Sequence, residues 1–176
     1  MSSPSADIIT IVPGRDPDDP TSCLLSWRGQ DWTAAVEHVR ATAVDLFTVA
    51  TWADVMMHVT TKLCLDPHTA GQFTGDLIVS QTGRKAWGSE HTVSLLPVGS
   101  SKDRQGLVLI RRGRLKGVVD TAEARQMGLA WLTASEAAES DQLVTEALRA
   151  AGGLTPERID GLFAYLRELR SKADHG

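Results

Sequence analysis

The chain has 176 residues, 42% hydrophobic and 23% charged, with a formal net charge of −4 and a mean hydropathy of −0.12. That balance suits a globular body with an enclosed core, and it excludes a wholly disordered chain, a collagen-like repeat and, with two cysteines, a disulfide-dense scaffold. The acidic total supplies no global attraction to phosphate, and no stretch approaches the roughly eighteen apolar residues of a membrane span. The opening residues carry no positive segment followed by an apolar one, so the expectation is a cytoplasmic protein with no membrane partner.

In chain order, a β-rich run over residues 8–12 ends at Pro13, a connector rich in Gly, Pro and Asp follows, and a second run over 22–27 completes a hairpin. Gln30, Asp31 and Trp32 are too few to fix a third strand. From 33 to 64 there is neither glycine nor proline, and Val36, Val39, Ala43, Leu46, Phe47 and Ala50 return at three- and four-residue spacing, continued by Ala53, Met56, Met57, Val59 and Leu63. The stripe predicts one long helix. A break at Thr51, which with Asp54 resembles a cap and a first-turn acid, is the competing reading. Asp66 ahead of Pro67 caps a shorter helix over 67 to about 81, and residues 82–89 then read as a linker.

The second half repeats this order. A β-rich run over 92–96 precedes Pro97, a polar connector leads to a run over 107–112, and 114–119 adds a third strand. A helix capped by Asp120 or Thr121 runs to Ala151 and stops at Gly152-Gly153, and Thr155 before Pro156 opens a closing helix to about 172. The halves overlay at an offset of 84 through Gly29 and Gly113, then 85 (Arg40 on Arg125, Ala53 on Ala138), then 89 (Pro67 on Pro156, Phe73 on Leu162). The expected fold is α+β, a duplicated unit of β-hairpin, long helix and shorter closing helix packed with pseudo-twofold symmetry. The units are 7–82 and 91–172, joined by 83–90, in one compact body with a shared core. Small residues Ala43, Ala50, Ala53, Gly128, Ala134 and Ala138 predict close packing of the two long helices, with both hairpins joined in a sheet on one side.

The run Ala122-Glu123-Ala124-Arg125 through Ala137-Ala138-Glu139-Ser140-Asp141, with its counterpart over residues 40–54, resembles a pattern in small, functionally unassigned proteins of actinobacteria and their phages or integrative elements. The resemblance implies a source of that kind and a helical scaffold, and it carries no active site with it.

No nucleophile elbow, phosphate-cradling loop or dinucleotide fingerprint occurs, so no catalytic residue, cofactor or metal is assigned. His58, Cys64 and His68 are too few for a zinc site, and the matching residues Leu143, Arg149 and Glu157 do not repeat them. They read as a partly exposed histidine, a buried thiol and a first-turn histidine. Cys23 also reads as a buried thiol of a reducing compartment, with a Cys23–Cys64 disulfide left open. Asp16, Asp18 and Asp19 read as a solvated turn, because Pro17 and Pro20 stiffen the segment. Residues 62–73 mimic a helix-turn-helix, but 67–76 hold no lysine or arginine to meet DNA.

Two binding candidates remain. Arg111, Arg112, Arg114 and Lys116 form a basic cluster on a hairpin, where strand alternation predicts Arg112, Arg114 and Lys116 on one side; such cations either guard an edge or meet phosphate or an acidic protein partner. Trp27, Trp32 and Trp52, grouped with Met56 and Met57, are core residues or a partner-contact patch. The expectation is a non-enzymatic protein-interaction or accessory protein from an actinobacterial phage or mobile element. The alternative is a nucleic-acid-associated regulatory protein using the hairpin around Arg112, and the less favoured reading is an enzyme with a site between the repeats.

Overall fold

The computed structural model describes residues 7–14, 22–84, 86–100, 104–151 and 155–173, so the acidic turn at Asp16, Asp18 and Asp19 and the Gly152-Gly153 stop lie outside the described residues. The chain opens with an antiparallel sheet of β1 (Thr10–Pro13), β2 (Ser22–Trp27) and β3 (Gln30–Ala35), followed by helices α1 (Val36–Lys62) and α2 (Pro67–Thr82). A second antiparallel sheet holds β4 (Trp87–Gly88), β5 (Ser94–Ser100), β6 (Gln105–Arg112) and β7 (Leu115–Asp120), followed by α3 (Thr121–Ala150) and α4 (Pro156–Ala173). The α+β class expected from the sequence is therefore present. The expected joint sheet is not: the strands form two sheets with no ladder between them.

Two-residue turns fix the register of each meander. At the first turn Arg28 and Gly29 both have positive φ, 49° and 78°, which matches the right-handed twist of the strands they join. The ladder continues from Trp27 opposite Gln30 to Ser22 opposite Ala35, so β3 is longer than Gln30, Asp31 and Trp32 alone and runs straight into α1. In the second sheet Arg112 lies opposite Leu115 and Leu107 opposite Asp120. Corresponding rungs are thus offset by 85 residues throughout β2 and β6, while Thr10 and Ser94 still correspond at 84. The β5–β6 connection is one residue longer than the β1–β2 connection, and Trp27 and Arg112 hold the same rung ahead of their turns.

Helix α1 is unbroken. Thr51 does not cap a new helix, because its hydroxyl donates to the carbonyl of Phe47 at 2.9 Å, four residues back, as that of Thr48 does to Val44 at 3.1 Å. Helix α3 opens on a full capping box: Asp120 Oδ1 accepts from Glu123 N at 2.7 Å, and Glu123 Oε2 accepts from Asp120 N at 3.2 Å. Asp66 caps α2 by accepting from the backbone of His68 and Thr69, each at 3.0 Å. Those bonds stabilise the ionised form and hold the Asp66 carboxyl below its ordinary range, chiefly through Thr69.

Helices α1 and α3 pack along each other and form the centre of the molecule. A side chain at Gly128 would stand 3.1 Å from the carbonyl oxygen of Ala43 and 3.0 Å from Cε2 of Phe47, so glycine permits the close crossing. The two sheets are exchanged over this pair. Strands β5 and β6 lie on α1, where a side chain at Gly106 would come within 2.7 Å of the Ala53 backbone, whereas β1 lies on α3 and the Cys23 thiol of β2 points to the Ala134 carbonyl. One buried cluster joins residues of all four elements, including Leu25, Trp27, Val39, Leu46, Val49, Leu95, Val108, Ile110 and Trp131. Across the helix pair run two ion pairs, Arg40 with Glu139, and Arg125 with Asp54 at 2.6 Å.

Candidate binding surface at the basic hairpin

The β6–β7 turn at Gly113 and Arg114 places its flanking cations by simple parity. Arg111 stands directly opposite Lys116, whereas Arg112 stands opposite Leu115. Side chains on adjacent residues of a strand leave by opposite faces, so Arg112 does not share a side with Lys116 as the sequence had suggested. Arg111, Arg114 and Lys116 are exposed, and none has an ion-pair partner among the described residues.

Arg112 turns inward to the seam between the two sheets. Its guanidinium lies 4.1 Å from the centre of the Trp32 ring on β3, a cation–π stack. Its Nη1 donates to the carbonyl oxygens of Thr92 at 2.6 Å, His91 at 3.3 Å and Glu90 at 3.4 Å. Partial burial lowers its pKa from the ordinary arginine value. Around it lie two open, adjoining depressions. One, of about 460 Å³, is lined by Gln30, Glu90, Arg112, Gly113, Arg114 and Leu115; the other, of about 510 Å³, runs past Trp87, Ser89, Glu90, Thr92, Arg111 and Arg112.

The wall facing the hairpin is the segment after α2, read from the sequence as a linker. It is fastened to α1. Asp45, on the inward face of the helix, accepts a bidentate pair from Arg84 at 2.8 Å on each oxygen and a third bond from Gly88 N at 2.8 Å. Arg84 also lies over the ring of Trp87, which is buried in the core. Gly88 has φ of 80° and leaves no room for a side chain beside Val93, so only glycine makes this bend. Thr92 and Thr42 share a buried hydrogen bond at 2.6 Å, and the rings of His91 and His38 lie 4.3 Å apart. These contacts hold the carbonyls of Glu90, His91 and Thr92 in place to receive Arg112.

Nothing in the sequence pointed directly to this wall, but one signal was available. Asp45 falls three residues after Thr42 and four before Val49 on the apolar stripe of α1, and a carboxylate on a buried face requires partners.

The tryptophans divide. Trp27 is 1% exposed and packs over Gly117, where a side chain would come within 2.8 Å of Cζ2. Trp32 is the platform for Arg112, and Trp52 is partly buried against the core. Met56 and Met57 meet the second sheet at Gly99. Trp27 thus supplies packing and no accessible contact. His58 and His68 are exposed, and Cys64, expected to be buried, is exposed at φ of 50° just after α1 ends. Both cysteines are free thiols, and among the described residues no group of three His, Cys, Asp or Glu side chains could hold a metal ion. No described helix is long and apolar enough to cross a membrane.

No protein-family model matches the chain, and neither a curated protein nor a solved structure does.

Proposed function

We propose that the chain is a non-enzymatic, internally duplicated interaction protein that receives a protein partner on the β6–β7 hairpin and the seam beside it. The observation that carries the binding role is the direct opposition of Arg111 and Lys116, with Arg114 at the turn between them and no carboxylate paired to any of the three among the described residues. Like charges on one cross-strand rung destabilise a hairpin. An acidic partner surface converts that cost into attraction.

The duplication is supported by contacts that exchange with each other at the 85-residue offset of the ladders. Arg40 meets Glu139, and their counterparts Arg125 and Asp54 meet in return. Trp27 covers Gly117, and their counterparts Arg112 and Trp32 stack on each other. Ala43 and Gly128, themselves counterparts, touch where the long helices cross. Pseudo-twofold packing of two related units generates such exchanged pairs, and it puts the Arg112 seam where the units meet.

The opposed Arg111 and Lys116 also favour a second reading, in which they contact phosphates of a nucleic acid. The identity of the bound molecule, with the steepness of its salt dependence, separates the two. Contacts to duplex DNA lose affinity with a log–log slope of roughly −0.9 per neutralised phosphate. Affinity capture with identification of bound proteins, run beside a duplex-DNA gel shift, is expected to return a protein that is lost when Arg111, Arg114 and Lys116 are all replaced by Ala. A gel shift abolished by the same replacement, with no such protein, would transfer the role to nucleic acid.

A further inference from the structure

We infer that the guanidinium of Arg112 is the receptor for a carboxylate presented by the protein partner, bound through its free Nε–Nη2 edge at the seam between the two sheets. The inference rests on the partner-binding reading above and names the chemistry at its centre.

The guanidinium is fixed on two sides and open on the third. Nη1 is occupied by three backbone carbonyls, and Trp32 covers one face. Nε and Nη2 have no hydrogen-bond partner among the described residues, and no described carboxylate pairs with Arg112. Those two N–H groups lie parallel on one edge of a planar, permanently charged fork, the arrangement that matches the two oxygens of a carboxylate. Because Trp32 and the carbonyls already hold the plane, little side-chain freedom is lost on binding.

The surroundings select the kind of anion. Arg112 lines both depressions, so a ligand reaches its edge without displacing a protein element. Arg111 and Arg114 stand at the rim and attract negative charge. Glu90 lines both depressions as well, and its carboxylate repels a phosphate dianion or a polyanionic duplex more than a single carboxylate.

The test follows the Arg112 Nε–Hε signal of the full-length protein by nitrogen-15 NMR. Four probes are titrated: a short glutamate peptide with blocked ends, a neutral peptide with a free C-terminus, inorganic phosphate, and a short DNA duplex. The expected result is a saturable shift of the Arg112 signal with a carboxylate peptide, the blocked peptide assigning a side-chain source and the neutral one a chain terminus. In Arg112→Lys, which keeps the charge and loses the paired donors, affinity should fall about tenfold. An unmoved Arg112 signal overturns the inference, as does saturation by phosphate or DNA at lower concentration than by either peptide. A peptide that binds Arg112→Lys as tightly as the native protein, but fails to bind when Arg111 and Arg114 are replaced by Ala, also overturns it while leaving the hairpin as the partner surface.

Discussion

Two residues of similar chemistry illustrate how position sets behaviour. Cys23 is wholly buried on β2, and burial alone pushes its thiol up from 9.0 to about 11, whereas Cys64 is exposed after α1. A thiol reagent under native conditions should modify Cys64 and spare Cys23 until the protein unfolds, which mass mapping of labelled peptides will read. The raised value also has a sign. The unfolded state releases the Cys23 proton first as pH rises, so this contribution to stability is complete below about pH 9 and is lost between about pH 9 and 11. The stability gap between the native chain and Cys23→Ala, measured by urea unfolding, should therefore narrow over that interval. Asp45 makes a different case, because its worth lies in three bonds to two residues, Arg84 and Gly88, of the segment after α2. Asp45→Ala strands Gly88 N and frees Arg84, which is half-exposed and regains water, so the expected loss is about 2 kcal/mol in urea unfolding. The same variant should loosen the wall that receives Arg112.

At the scale of elements, close approach matters more than polar contact. Gly106 brings β6 against the backbone of α1, and a larger residue has no flexible neighbour to displace there. Gly106→Val should cost about 1–3 kcal/mol or more, whereas the same change at Gly71 of α2, where a side chain would meet nothing within 4 Å, should cost less. The measurement is the unfolding midpoint of each. Helices and caps were legible because local chemistry fixes them: Asp66 before Pro67 and the Asp120–Glu123 box need only neighbours in sequence. The class, the order of elements and the crossing at Gly128 were legible for the same reason, through periodicity and small residues. What could not be read was what depends on distant pairing. The strand Thr33-Ala34-Ala35 has helix-compatible residues and is strand because Ser22, Cys23 and Leu24 pair with it. β4 has two residues, and its place comes from β5 and from Asp45 forty-three positions earlier. Arg112 looked like a surface cation sharing a side with Arg114 and Lys116, and only the turn length and the partner sheet show that it faces the seam instead.

At the scale of the whole molecule, the exchange of sheets over the helix pair determines whether either half can stand alone. A fragment ending at Arg84 keeps α1 but loses β5 and β6, the strands that cover it; a fragment from Ala86 keeps those strands but loses the helix under them. Ala43, Leu46, Val49, Ala50 and Ala53, all buried in the intact chain, would face water in the first fragment, and Val108, Ile110 and Trp131 in the second. At roughly 25 cal/mol per Å² of apolar surface, such exposure exceeds what a small unit recovers by folding alone. Each fragment should be partly unfolded or self-associated, and co-expression should return a one-to-one complex. The cut belongs between Arg84 and Ala86, because Trp87 and Gly88 pair with β5 and must travel with the second sheet, while Arg84 stays with Asp45. The complex would then be held in part by the bond from Gly88 N to Asp45 across the cut, so Asp45→Ala should weaken reassembly of the halves more than it weakens the continuous chain. Size-exclusion chromatography with light scattering checks both outcomes, and a monomeric, cooperatively unfolding half would refute the shared core and leave two independent modules.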